Sequence, residues 1–364
     1  MSNAFRDFVR KVGSGTHTKE NLTRTEAAAA TRMILLGEAT PAQIGAFLIA
    51  HRIKRPTGEE LAGMLDAYDE LGPKLLPIDA PHPVIVLGVP YDGRDRTAPV
   101  NVLTALLLCA AGQPVIMHGS DRMPTKYGVP LVEIWQGLGV DWTGLKLAQT
   151  QEVFASTGLG LIYLPQHFPQ AQTVFDYRDQ IGKRPPFATM ELIWCPYAGD
   201  AHIIAGFVHP PTEIMFQIAF ALRGTKNFTT VKGLEGSCDL PRERTNIIGL
   251  SAPNIPHETA IAPIERLQLV PREYGFSSKN PPIESTEQLI IDMQSVLQGQ
   301  PSELMQSAIW NGGFYLWRSG ICEDIKSGIA KAEAMFTSGE VLQQLQKTSQ
   351  VVHSISPQNK MQLA

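Results

Sequence analysis

Cysteine is scarce and scattered: Cys109, Cys195, Cys238 and Cys322 are the four, and no two stand at C-x-x-C spacing. Neither a disulfide framework nor a zinc site is suggested. Long apolar runs are missing too. The longest, around Leu103 to Ala111, falls far short of the roughly 20 residues a bilayer demands. No basic segment followed by an apolar one opens the chain, so the expected compartment is the cytoplasm and no membrane contact is expected. Charge of one sign is not in excess. Thirty-one Lys and Arg against 35 Asp and Glu give a net −4, which leaves only a local basic patch to attract nucleic acid. There is no Ser-His-Asp order, no H-E-x-x-H, no P-loop and no G-x-G-x-x-G behind a strand, so hydrolase, metalloprotease and dinucleotide readings have no support. Internal repeats are absent as well.

What is present is a well-mixed chain of 364 residues, 43% hydrophobic and 18% charged, enough for a large core in one big domain or two packed ones. Its first seventy residues read as four helices. Phe5, Phe8, Val9 and Val12 line one helical face that stops at Gly13. Thr23 with Glu26, and Thr57 with Glu60, are capping boxes, while Thr40 caps a third helix with Pro41 in its first turn. Beyond the proline-rich joint from Pro77 to Pro83, apolar runs alternate with helical stretches. The runs are Val84 to Val89, Pro114 to His118, Gly160 to Leu164, His202 to Val208, Phe228 to Val231 and Asn246 to Leu250. Helices are expected at Val100 to Ala111, Leu131 to Leu138, Pro169 to Ile181 and Thr212 to Leu222. Such alternation predicts an α/β fold with a central, mostly parallel sheet. Ser251 to Pro282, rich in proline and polar residues, reads as a surface excursion. From Ser285 onward the chain returns to helix.

Four segments, in order, resemble the anthranilate phosphoribosyltransferase family, whose fold is that of the class III nucleoside phosphorylases. They are Leu22 to Ala27 followed by Gly37 to Leu48; His118-Gly119 after a strand; Arg178, Gly182, Arg184, Phe187 and Pro196; and Asn311 to Leu316. The resemblance runs nearly end to end. It implies a small all-helical domain, residues 1–76 with about 166–188, and a larger α/β domain, residues 83–165 with 189–350. It also implies a homodimer formed through the helical domain.

The chemistry implied is transfer from a phosphorylated sugar such as phosphoribosyl pyrophosphate. Expelling diphosphate requires neutralised charge, from backbone N–H groups, magnesium on carboxylates, and Lys or Arg. Where the family has Gly-Thr-Gly-Gly-Asp, this chain has Gly88-Val89-Pro90-Tyr91-Asp92-Gly93-Arg94-Asp95-Arg96-Thr97. Pro90 removes an N–H and Tyr91 adds bulk, while Arg94 and Arg96 offer bidentate contacts to phosphate. The plain alternative is an ordinary turn with solvated arginines. The family's Asn-Ile-Ser-Thr, whose serine reaches magnesium, becomes Asn101-Val102-Leu103-Thr104. Met117 replaces the lysine before His118-Gly119, with Arg122 and Lys126 downstream as substitutes. The family's Asp-Gly-Leu-Asp-Glu becomes Glu235-Gly236-Ser237-Cys238-Asp239, leaving Glu235 and Asp239 as the metal ligands, so magnesium is expected to be weakly bound or absent.

Arg184 resembles the arginine that meets the aromatic acid, but Glu191 begins the turn where the family has Gly-Pro-Leu and is expected to repel a carboxylate. His118 reads equally as a ligand contact or a satisfied structural residue, and His167 as structural. The expected phosphate-binding set is therefore Gly88, Tyr91, Gly93, Arg94, Arg96, Asn101, Thr104, His118, Gly119, Arg122, Lys126 and Arg184. Three functions compete: a pentosyltransferase of changed specificity, a non-catalytic homodimer binding single-stranded nucleic acid, and a partner-binding scaffold with no small ligand. Pro90 to Arg94 resembles the family's nucleic-acid-binding side branch, and Lys183, Lys226, Lys232, Arg242 and Arg244 could extend such a groove.

Overall fold

Three threonines fix where three helices begin. In the computed structural model, which describes residues 3–252 and 261–356, Thr23, Thr40 and Thr57 each close a capping box, with Glu26, Gln43 and Glu60 as the reciprocal partners. The helices are α1 (Asn3–Gly13), α2 (Arg24–Leu35), α3 (Pro41–Lys54) and α4 (Gly58–Leu71). Glu60 does more than cap. Fully buried, it accepts from Leu22 N at 2.8 Å, Thr57 N at 2.7 Å and Lys54 Nζ at 2.8 Å, with His51 Nε2 at 3.3 Å. One carboxylate thus ties the α2 entry, α3 and α4 together.

The chain then runs through β1 (Val84–Gly88), α5 (Asn101–Ala110), β2 (Val115–Gly119), α6 (Leu131–Gly137), α7 (Leu147–Thr157), β3 (Leu159–Tyr163), α8 (Leu164–His167), α9 (Pro169–Ile181) and α10 (Phe187–Met190). Next come β4 (Ala201–Gly206), α11 (Pro210–Arg223), β5 (Phe228–Val231), β6 (Asn246–Ser251) and β7 (Ile264–Leu269). Helices α12 (Thr286–Leu297), α13 (Glu303–Arg318), α14 (Ile325–Ser338) and α15 (Glu340–Ile355) follow. The sheet order is β3-β2-β1-β4-β5-β6-β7. Pairing is parallel through β5 and antiparallel for β6 and β7.

Alternation along β1 splits the core. Ile85 and Leu87 face α5, α13, α14 and α15, whereas Val84 and Val86 join a second core shared with α2, α4 and α9. Each such side chain contributes roughly 1.5–3 kcal/mol by leaving water. Helix α9 packs on α2 and α3. The expected excursion at Ser251 to Pro282 is partly ordered sheet: β7 pairs with β6, Ile248 opposite Leu267, and Leu269 and Phe276 are buried. Glu265, Arg266 and Gln268 are exposed on this edge strand, so its apolar pattern is too thin to read. Residues 253–260 lie outside the described residues. In a parallel sheet, ligands gather outside the carboxyl ends of the strands. Here the loops 89–100, 120–130 and 232–245 meet there.

Burial pushes the Glu60 carboxyl up, but His51, Lys54 and the Leu22 amide outweigh it and hold it at about 2. A carboxylate depressed in the folded state stabilises above its unfolded value near 4.3, and the contribution is lost as pH falls toward the folded value. Glu60→Gln is therefore expected to cost about 3 kcal/mol at neutral pH and little near pH 2. Urea unfolding at both pH values checks this; equal losses would assign the effect to packing alone.

Candidate anion and cation site at the strand carboxyl ends

Two glycines bring the β1 and β2 loops into contact. Gly93 has φ +70°, and a Cβ there would lie 2.6 Å from Gly128 C; a Cβ on Gly128 would lie 2.6 Å from Arg94 N. The backbones are tied by Gly128 N to Asp92 O and Val129 N to Arg94 O, both 2.9 Å. This clamp aims the Arg94 side chain inward toward the loop after β5.

Arg94 is 2% exposed. Its guanidinium donates to the Asp239 carboxylate and to Thr97 Oγ1, and its Nε lies 3.7 Å from Glu235 Oε1. Glu235 holds a left-handed backbone, φ +55°, a conformation that costs energy for a residue with a Cβ and is kept only where the surroundings impose it. Here the surroundings are clear. Glu235 Oε1 accepts from Thr97 N at 2.9 Å and Thr97 Oγ1 at 2.7 Å, and Oε2 takes the Lys126 ammonium. Asp239 Oδ2 also accepts from Val100 N at 2.9 Å, so a carboxylate of the chain itself already stands at the N-terminus of α5, where a bound anion would be favoured.

Burial raises the Glu235 carboxyl, but the Lys126, Asp95 and Thr97 side chains together hold it well below the usual carboxylate range. Burial raises Asp239 against the pull of Arg94, and lowers Arg94 against the pull of Asp239 and Glu235; a guanidinium keeps its proton regardless. Burial pushes the Cys238 thiol far up, so no thiolate is at hand. Arg184 Nη1 lies 3.4 Å from Asp92 Oδ2, Lys126 Nζ 3.2 Å from Asp95, and Arg96 Nε 3.6 Å from Glu235. Arg94, Arg96, Lys126 and Arg184 thus face Asp92, Asp95, Glu235 and Asp239, four cations to four carboxylates. The cleft is neutralised from within. The cavity lined by Pro90, Gly93, Arg94, Asn101 and Leu131 holds about 10 Å³, room for one water.

The remaining candidates form no ion pair with this cluster. Gly88 ends β1 against Leu192, whose carbonyl oxygen would sit 2.0 Å from any Cβ there. Asn101 and Thr104 are buried in α5, and Asn101 Oδ1 and Thr104 Oγ1 have no hydrogen-bond partner. Arg122 forks onto Glu133 and reaches Tyr127 O and Thr286 Oγ1. His118 is enclosed between Tyr91 and Trp194, and burial lowers it to about 3. Its Nδ1 and the Tyr91 hydroxyl are hydrogen-bonded at 2.6 Å, with the direction set by the imidazole tautomer. Gly119, next to it, ends β2 against Leu131. His167 is satisfied at both nitrogens, by Tyr163 N and Leu145 O.

A glycosyl transferase family described by its helical bundle domain matches residues 6–72, and the family's a/b domain matches residues 92–342. The chain belongs to this glycosyl transferase family. Among curated relatives, the anthranilate phosphoribosyltransferase of Azorhizobium caulinodans is 26% identical over 359 residues, covering 97% of this chain and 98% of the relative. That of Polynucleobacter necessarius is 28% identical, covering 88% and 91%. A solved anthranilate phosphoribosyltransferase from Saccharomyces cerevisiae, in complex with PRPP and Mg, superposes with TM-score 0.80 at 17% identity, covering 97% of this chain and 99% of that one. The Thermus thermophilus enzyme gives 0.76 at 19%, covering 97% and 100%.

Against this family background the donor set can be tested for magnesium, a hard cation that needs free oxygen ligands. It does not fit. Both Glu235 oxygens and Asp239 Oδ2 are engaged by the chain's own donors, and position 103 is leucine. Among the described residues no group of three or more His, Cys, Asp or Glu could hold a metal.

Glu191 also departs from expectation. It is buried and bonded to the Arg178 guanidinium, whose Nη1 lies 3.0 Å from Met123 Sδ, so its charge meets a cation rather than an open acceptor space. Residue-by-residue reading missed this pair and the part of Thr97, because nothing in spacing announces which buried charges will meet. Removing one member leaves the other buried and uncompensated. Glu191→Ala is expected to cost about 3–5 kcal/mol, and Arg178→Met with Glu191→Leu to recover most of it. Urea denaturation of both checks the pairing; a double variant no better than the single would refute it.

Proposed function

We propose that this family member recognises phosphate esters at the mouth of the loop cluster and does not perform magnesium-assisted phosphoribosyl transfer to anthranilate. The observation that carries this reading is the engagement of Glu235 and Asp239 by Arg94, Lys126, Thr97 and Val100. Charge-neutralised carboxylates supply no metal to offset a departing diphosphate. At the rim the balance differs. The Arg96 side chain is 74% exposed and that of Arg184 49% exposed, and each is a planar fork suited to phosphate. A phosphorylated sugar such as phosphoribosyl pyrophosphate is the small ligand of this class, the one named with the S. cerevisiae relative.

A second reading, single-stranded nucleic acid, is favoured by the further exposed cations Lys183 and Arg244. It requires a longer basic track, which a homodimer through the helical domain would supply. A groove of about 400 Å³ lined by Ile34, Leu35, Leu36, Ile44 and Tyr177 offers an apolar face there.

Thermal unfolding with phosphoribosyl pyrophosphate, with and without magnesium, is expected to show the same upward shift in both, because a ligand that binds only the folded state raises its stability. Arg96→Ala with Arg184→Ala should abolish it. Short oligothymidylate that stabilises instead, with affinity falling steeply in salt, would move the assignment to nucleic acid. Magnesium-enhanced stabilisation together with anthranilate-dependent consumption of the sugar diphosphate would overturn the reading.

A further inference from the structure

We infer that Arg94 and Lys126 are built-in replacements for a divalent cation: two side chains that bring the same two positive charges to Glu235 and Asp239 and shut metal ions out. The two carboxylates arise from one loop, after β5, and the two cations from two others, after β1 and β2. Their charges balance one against one.

The arrangement is built rather than incidental. Side-chain exposure is 2% for Arg94, 3% for Glu235, 1% for Asp239 and 14% for Lys126. Carboxylates so buried must have a counter-charge close by. The Arg94 backbone is clamped by the Gly93 and Gly128 contact, which fixes the origin of the side chain, and its fork spends one nitrogen on Asp239 and the other on Thr97. Thr97 in turn gives its N–H and hydroxyl to Glu235. The Glu235 backbone is held at φ +55°, in the position that lets its two oxygens serve Thr97 and Lys126 separately.

This set resists a metal for two reasons. Magnesium or manganese needs several free oxygen lone pairs in near-octahedral array, and three of the four carboxylate oxygens here already accept from the chain's own donors. A divalent ion entering would also meet an ammonium and a guanidinium within a few ångströms, in surroundings where water screens them poorly. The replacement relieves the folded chain of any need for a metal to keep these carboxylates buried. It stands independently of whether a phosphate ester binds at the rim, since it concerns the metal alone.

The test uses the full chain and Mn²⁺ alone, read by the electron paramagnetic resonance signal of the free ion. The wild type is expected to leave that signal unchanged at millimolar Mn²⁺. Lys126→Met takes the ammonium off one Glu235 oxygen, and Lys126→Met with Arg94→Met also takes the guanidinium off Asp239. At least one of these is expected to take up about one Mn²⁺ per chain, at least about tenfold more tightly than wild type. Mg²⁺ should compete, and adding Glu235→Gln should abolish the uptake. Lys126 is at the edge of the cluster, so the single variant is expected to keep its near-ultraviolet circular dichroism even if the double variant does not fold. Wild-type uptake of one Mn²⁺ that is lost in Glu235→Gln would overturn the inference. So would folded Lys126→Met and double variants that take up none.

Discussion

The buried guanidinium of Arg94 is the contact on which the site's geometry depends. A charge 2% exposed must be paired where it sits, and its partners lie some 140 residues away in sequence, on the loop after β5. That single demand fixes several neighbours. It requires the close approach of Gly93 and Gly128, keeps Asp239 where it also caps α5 through Val100 N, and sets Thr97 between Arg94 and Glu235. Three loops that would otherwise be free to differ are locked into one arrangement.

Much of the scaffold was legible because it is written in local chemistry. Capping boxes at Thr23 and Thr57 need only residues three apart, and short, largely apolar runs such as Val84 to Leu87 announce buried parallel strands. What escaped reading is what depends on partners far along the chain. Helix α7 has Lys146 at its N-cap rather than a threonine or serine and has a weak apolar face, and β7 hides its pairing among Glu265, Arg266 and Gln268. At the site, the residue types were readable but not their pairing. Glu235 and Asp239 stand out as survivors of a carboxylate motif, and Arg94 and Lys126 as cations near a phosphate loop, yet spacing says nothing of their meeting each other.

The same internal settlement of charge recurs away from the cluster. Glu60 is served by Lys54 and Thr57, Glu191 by Arg178, Glu213 by Arg266 and Arg242 by Glu303. Each of these pairs holds at least one buried charge; such pairs add little net stability over apolar packing, but leaving the buried member without its partner is costly. They therefore act as constraints on which neighbours can change singly. A chain carrying several such pairs at and around its cleft can replace an interior charge only by replacing its partner in the same step.

That constraint bears on where an anion can bind. Entering the interior, a phosphate would have to separate Arg94 from Asp239 or Lys126 from Glu235, and each separation leaves a carboxylate buried without its cation. At the rim no such separation is needed. Arg96 and Arg184 keep much of their hydration and only longer salt contacts, Arg96 at 3.6 Å to Glu235 and 4.0 Å to Asp95 and Arg184 at 3.4 Å to Asp92, so a phosphate oxygen can add to them without breaking a short bond. Exposed contacts are individually weak and screened by salt. Affinity at this surface must come from several phosphates or several cations acting together, which is a different design from one metal-centred pocket holding one diphosphate.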